Sequence, residues 1–132
     1  MTSRTSKGKD NNCEKENNNF PCFIPAQRVL NLISRKWSIQ LIYILKDSKR
    51  VRYKNLKKQL HRGLRKGKIS DATLSSRLAE LMKEGIVDRE VFAEIPPKVE
   101  YYLSQKGEML SEVITPLIDW TIKNCHEENL ET

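Results

Sequence analysis

Along this chain, stretches whose apolar residues return every three or four positions give way to short stretches whose apolar residues alternate. Residues 70–84 are the clearest helical case. Leu74, Leu78, Leu81 and Met82 form one stripe, while Thr73, Ser76, Arg77 and Glu80 fall on another face. That pattern predicts a helix that packs by one side and shows short donors and acceptors on the other. Ser70 is a good N-cap, Asp71 suits the positive end of the helix dipole, and Gly85 ends the helix as a left-handed C-cap residue can. Residues 86–94 then carry β-branched and aromatic side chains in partial alternation. Ile95-Pro96-Pro97-Lys98 reads as a turn, and residues 99–103 return as a second strand.

Residues 1–19 are polar and predict a disordered tail. Order is expected from Phe20, with Pro25 opening a helix whose apolar face is Val29, Leu30 and Ile33, with Ala26 beside it. Residues 37–46 hold Trp37, Ile39, Leu41, Ile42, Ile44 and Leu45, apolar on most sides, as in a central core helix. A turn-strand over residues 49–53 and a short helix over 54–60, burying Leu56 and Leu60, precede a basic glycine-bearing loop over 61–68. Ser104 caps a last long helix. Its stripe is Leu110, Val113, Ile114, Leu117, Ile118 and Thr121, with Trp120 beside it and Pro116 expected to bend it or loosen one turn. The domain expectation is a tail over 1–19, one domain over 20–126 and an acidic end over 127–132.

A helix with a small polar face, followed by two strands, is the order of a winged helix-turn-helix. Charge supports that reading. The chain carries a net charge of +7 and is unevenly basic: residues 46–68 hold eleven Lys or Arg against Asp47 alone. Residues 108–132 hold six acids against Lys123 alone. One face is therefore expected to meet a polyanion, and nucleic acid is the usual one.

Thr73, Ser76 and Arg77 are the leading candidates to read base edges, with Ser75 beside them. A hydroxyl donates or accepts, and an arginine grips guanine O6 and N7 bidentately. The competing role for Arg77 is an intrahelical pair with Glu80 or Glu84. Ser70 can present its hydroxyl or the helix N-terminus to a phosphate, and it can be a plain N-cap at the same time. Lys98 at the wing tip and Arg89 on the neighbouring strand suit backbone or minor-groove contact. Arg62, Arg65, Lys66 and Lys68 are phosphate candidates as a group.

No catalytic constellation stands out. His61 and His126 lie apart, there is no Cys-x-x-Cys or His-Glu-x-x-His, and no metal site or cofactor is expected from Cys13, Cys22 and Cys125 at these spacings. Trp37, Trp120, Tyr53, Tyr101 and Tyr102 read as packing, and Cys125 as a small apolar filler. No stretch reaches the roughly 18 apolar residues of a membrane span, and no signal-peptide pattern opens the chain. A cytoplasmic protein without a membrane partner is the expectation. The rivals are a winged helix used only for protein–protein docking, and a small enzyme or metal-dependent sensor.

The motifs in order resemble the HxlR-type winged-helix regulators, relatives of the MarR group. They are Leu30-Asn31-Leu32-Ile33 with Lys36-Trp37; Arg52-Tyr53-Lys54-Asn55-Leu56; Ile69-Ser70 with Leu74-Ser75-Ser76-Arg77-Leu78 and Leu81; Glu84-Gly85-Ile86-Val87; Ile95-Pro96-Pro97-Lys98-Val99-Glu100-Tyr101; and Leu103-Ser104-Gln105-Lys106-Gly107 with Leu117 and Trp120. The resemblance implies a mainly α fold with a small β-wing (α+β). It also implies a homodimer built from helical elements at both ends, and a repressor acting on double-stranded DNA through the helix after Ser70. An effector, small-molecule or redox, would change the angle between the two reading heads. Such regulators carry a cysteine just before the first-helix proline. Here Ile24 stands there, and Cys22, two places earlier, is the candidate redox sensor. Ser34-Arg35 replaces the usual Gly-Gly, and the loop before Ile69 is longer than the usual tight turn.

Overall fold

Eight elements follow in the predicted order: α1 (Ile24–Ile33), α2 (Ser38–Ser48), β1 (Val51–Arg52), α3 (Tyr53–Arg62), α4 (Asp71–Lys83), β2 (Val87–Phe92), β3 (Lys98–Leu103) and α5 (Gln105–Lys123). They are seen in a computed structural model that describes residues 20–62 and 68–125. The chain divides into two units, one ending at Lys36 and one beginning at Trp37. The first unit carries α1, which starts with Pro25 in its opening turn and buries Ile33. Its other large apolar groups, Ile24, Val29 and Leu30, are exposed, as are Phe20 and Phe23, which meet edge to face.

In the second unit α2 is central. Leu41, Ile42 and Leu45 are wholly buried, and α2 packs on α3, α5 and β3. Removing each such side chain from water contributes about 1.5–3 kcal/mol. The α4 stripe closes the same core through Leu74, Leu78 and Leu81, with Met82 half-buried. Trp37 is buried in a left-handed conformation (φ 79°) at the start of α2. The sheet is antiparallel in the order β1-β3-β2, with Val51 opposite Tyr101 and Val87 opposite Leu103. Tyr101 is core, whereas Tyr53 and Tyr102 are half-buried and make polar contacts.

Two expectations need correction. α5 is unbroken through Pro116, and its apolar residues do not share one stripe. Ile114 is buried with Leu110 and Ile118 partly so, while Val113 and Leu117 turn outward with Met109 and Trp120. A helix that is apolar on two sides shows no gap in the sequence to separate its faces. Second, α3 begins at Tyr53 and runs to Arg62, longer than residues 54–60 at both ends. Its late basic residues suit a helix C-terminus.

Between α2 and β1 the backbone turns on Lys49, at φ 70° and ψ −74°, with the Arg50 amide donating to the Ser48 carbonyl at 2.9 Å. This is a γ-turn of the rare positive-φ kind. It sets Arg50 against the wing.

The end of α4 is joined to the wing and to α5 at one peptide. Gly85 adopts φ 78°, and its amide bonds Met82 O at 3.0 Å while the Ile86 amide bonds Leu81 O at 2.9 Å, a complete Schellman cap. The Ile86 carbonyl then accepts from the Ser104 amide at 3.0 Å. The Ser104 hydroxyl donates to Gly85 O at 2.5 Å and accepts from the Gly107 amide at 3.0 Å, so the residue that caps α5 also binds the end of α4. Lys106 Nζ donates to the Glu84 carbonyl at 3.0 Å. Gly107 fits because a Cβ there would collide with the Ile86 carbonyl. Gly107→Ala should therefore destabilise the fold by at least about 1–3 kcal/mol, since the obstacle is backbone rather than a side chain that can swing away. Urea denaturation of both proteins checks this, and unchanged stability would contradict the close approach.

Candidate nucleic-acid interface

α3 and α4 form the helix-turn-helix, and polar side chains tie them. Tyr53 Oη donates to Asp71 Oδ1 at 2.9 Å, and Lys57 Nζ pairs with the same oxygen at 2.8 Å. His61 Nε2 accepts from the Ile69 amide at 3.2 Å. Residues 53, 57 and 61 recur at a spacing of four, so this flank of α3 faces the start of α4. The Lys57 ammonium, then the Tyr53 hydroxyl, holds the Asp71 carboxyl below its ordinary value; the same contact raises Lys57. Burial pushes the Tyr53 phenol up, with a hydrogen bond to Ser75 pulling against it.

The expected reading residues separate. Ser70 Oγ caps α4 by accepting from the Thr73 amide at 3.1 Å, and it donates to Thr73 Oγ1 at 3.0 Å. Ser70 is thus the N-cap of α4, with Thr73 half-buried against it. Arg77 is not on the open face. Its side chain is only 15% exposed and meets Glu80 Oε2 at 3.4 Å, the intrahelical partner. The open face of α4 is Asp71, Ala72, Ser75, Ser76, Ala79 and Lys83. Of the polar expectations, Ser75 and Ser76 lie there; Ala72, Ala79 and Lys83 were not foreseen. The i, i+3/i+4, i+7 spacing from Ala72 would have found them, had the small apolar residues been counted with the polar ones. Lys68 is exposed just before α4, whereas Arg65 and Lys66 lie outside the described residues.

The wing differs from expectation at Lys98. The tip is residues 93–97, where Ile95 is fully exposed. Lys98 stands behind it as the first residue of β3, its Nζ 4.6 Å over the Phe92 ring and 3.7 Å from Glu100. Arg89 is exposed on β2. Glu90 and Glu100 face each other across the β2–β3 pair, a like-charge register that is destabilising by itself. Arg50 resolves it, with Nη1 at 2.9 Å from Glu90 and 3.3 Å from Glu100 and its guanidinium 4.3 Å over the Tyr102 ring. The Glu90 contact leads in raising Arg50 above its ordinary value. The Arg50 role was invisible in sequence, because it depends on hairpin register.

Arg62 lies on the other flank of α3, in a concave groove with Ser48, Arg50, Arg52, Asn55, Lys58 and Gln59. Cys22 is disulfide-bonded, and Cys125 is a free, exposed thiol. Among the described residues no acidic, histidine or cysteine group could hold a metal, and no helix is long and apolar enough to cross a membrane.

Residues 32–129 match the family model of the HxlR-like helix-turn-helix. The chain belongs to the HxlR-like helix-turn-helix family. It is 39% identical over 100 residues to an uncharacterized HTH-type transcriptional regulator of Halalkalibacterium halodurans, covering 76% of this chain and 83% of that one. It is 36% identical over 96 residues to the uncharacterized regulator YdeP of Bacillus subtilis, covering 73% and 70%. Among solved structures it resembles the redox regulator HypR in its oxidised form, with TM-score 0.66 and 30% identity over 77% of this chain and 98% of that chain. It also resembles the reduced form of YodB from B. subtilis, with TM-score 0.66 and 29% identity over 79% and 95%. This HxlR-like protein is a DNA-binding transcriptional regulator of winged-helix fold, and the family consists of regulators rather than enzymes.

The Asp71 tie gives a pH signature. Its carboxyl is held below the ordinary value of 3.8, so the stabilisation is present above the unfolded value, about 3.9, and fades as pH falls through the lower folded one. Asp71→Asn should lower the thermal midpoint at neutral pH. The gap to wild type should close below about pH 4. A gap of equal size at pH 7 and at strongly acid pH would show that the charge is not what holds the two helices.

Proposed function

We propose that this regulator acts as a cytoplasmic homodimeric repressor, with two α4 helices entering successive major grooves about 34–36 Å apart. The single observation that carries the dimer is the outer stripe of α5. Met109, Val113, Leu117 and Trp120 are 61%, 69%, 47% and 61% exposed and spaced four, four and three apart. A continuous apolar stripe on a free monomer is a liability in water, and a second copy is the simplest cover. The apolar face left open on α1 supports the same reading.

On DNA, Ser75 and Ser76 reach base edges, Ser70 and Thr73 hold the helix start toward phosphate, and Lys68, with Arg65 and Lys66, meets the backbone. Arg89 and Lys98 serve the wing. Arg77 positions Glu80 on the flank of α4, and it takes up base contact only by leaving that pair. A redox effector acting at Cys22 fits the disulfide there and the redox regulators among the structural neighbours.

Leu117→Glu should give soluble monomers by light scattering, since Leu117 points out of its own fold. Those monomers should lose roughly 10²- to 10⁴-fold in affinity for a two-half-site duplex. Wild-type affinity should fall roughly 10³- to 10⁵-fold between 50 and 200 mM salt if about 6–10 phosphates are neutralised. A wild-type monomer at tens of micromolar, or a salt-insensitive complex, contradicts the proposal and returns the docking-module reading.

For the effector, DNA affinity should differ between diamide-treated and dithiothreitol-treated protein by about 5- to 150-fold. Cys22→Ser should abolish the difference. If it persists in that variant, Cys22 is not the responsive thiol, which contradicts this part of the proposal and leaves Cys13 or Cys125.

A further inference from the structure

No residue of α4 lines the groove beside α3, and its chemistry points to a ligand of its own. It is a concavity of about 480 Å³ lined by Ser48, Arg50, Val51, Arg52, Asn55, Lys58, Gln59, Arg62 and one acid, Glu100, which is paired with Arg50, within the usual size of small-molecule sites. Arg50 is committed to Glu90 and Glu100. Among the described residues no acid pairs with Arg52, Lys58 or Arg62, so three cations line the groove with the side-chain amides of Asn55 and Gln59, the latter accepting from the Ser48 hydroxyl at 3.4 Å. The flank of α3 that meets α4 is residues 53, 57 and 61. At 100° per residue, Asn55, Gln59 and Arg62 stand about 140–200° around the helix from Lys57, and Lys58 about 100° from it. A phosphate of the duplex engaged by α4 would approach the other flank.

We propose that this groove binds a small polyanion, a metabolite bearing two or more phosphate or carboxylate groups, as a ligand distinct from DNA. Arg and amide donors in a partly enclosed site are the chemistry such groups require. The consequence for DNA, which rests on the reading of this protein as a DNA-binding regulator, runs through Arg50 on the groove wall. A bound anion competes with Glu90 and Glu100 for that guanidinium. The two carboxylates, opposed in register, then repel across the hairpin, and the wing loosens. The ligand favours the loosened state because only that state frees Arg50 for it.

Sodium pyrophosphate and citrate, each against sodium chloride of equal ionic strength, should be titrated into the full chain labelled with ¹⁵N. The expected result is saturable shifts in the side-chain amides of Asn55 and Gln59 and in the backbone amides of Arg50, Glu90 and Glu100. Pyrophosphate saturating well before citrate assigns phosphate, and the reverse assigns carboxylate. The exposed-residue double variant Arg52→Gln with Lys58→Gln, checked for an unchanged thermal midpoint, should lose the saturable response. Without pyrophosphate it should bind a mixed-sequence duplex with the wild-type salt slope. Shifts that match chloride, or that survive in the double variant, overturn the proposal. A salt slope reduced by about 2 in that variant also overturns it, because two lost phosphate contacts would then make the groove part of the DNA interface.

Discussion

The peptide at Ile86 is the constraint on which the rest of this molecule depends. Its amide closes the cap of α4 on Leu81, its carbonyl accepts from Ser104 at the start of α5, and Gly107 is there because nothing larger fits against that carbonyl. Ile86 and Leu81 are both buried, so the hydrogen bond between them is shielded from water. α4, the wing and α5 are therefore fixed to one another within a few residues.

That joint gives a helix with a face of Ala72, Ser75, Ser76 and Ala79 the fixed orientation that the proposed reading role needs. Small side chains cannot compensate for a mobile helix by reaching, so orientation must come from the scaffold. The far end of α4 is fixed by Asp71 bridging Tyr53 and Lys57. The wing is fixed by Arg50 between two carboxylates and by its packing on Tyr102. These ties are of different kinds. The Ile86 joint is buried and backbone-based, whereas the Asp71 and Arg50 ties are exposed ion pairs that salt, pH or a competing anion can weaken. Regulation through the wing or the α3–α4 angle is easier than regulation through the joint.

Much of the fold was legible in sequence. Ser70, Gly85 and Ser104 mark helix ends by capping chemistry, which is local and survives any tertiary context. The leucine stripe of α4 set its buried side for the same reason. Lys57 and Arg50 were not legible, because each role depends on a partner placed by tertiary packing or strand register. Arg77 is a local case: of its two sequence alternatives, the pair with Glu80 one turn away is the one seen in the free protein. α5 failed in another way, since two apolar faces on one helix look like one broad stripe. Lys98 was misplaced because the two prolines of the turn push the tip back to residues 93–97.

Native-state amide hydrogen exchange tests the joint most directly. If α4, wing and α5 are locked through Ile86, the amides of Ile86, Ser104 and Gly107 exchange together with the buried stretch of α4 around Leu78, in the slowest class and with one shared opening free energy. Amides at Ile86 and Ser104 that exchange quickly while Leu78 stays protected would show that the wing and α5 open independently of the reading helix, and would contradict the account.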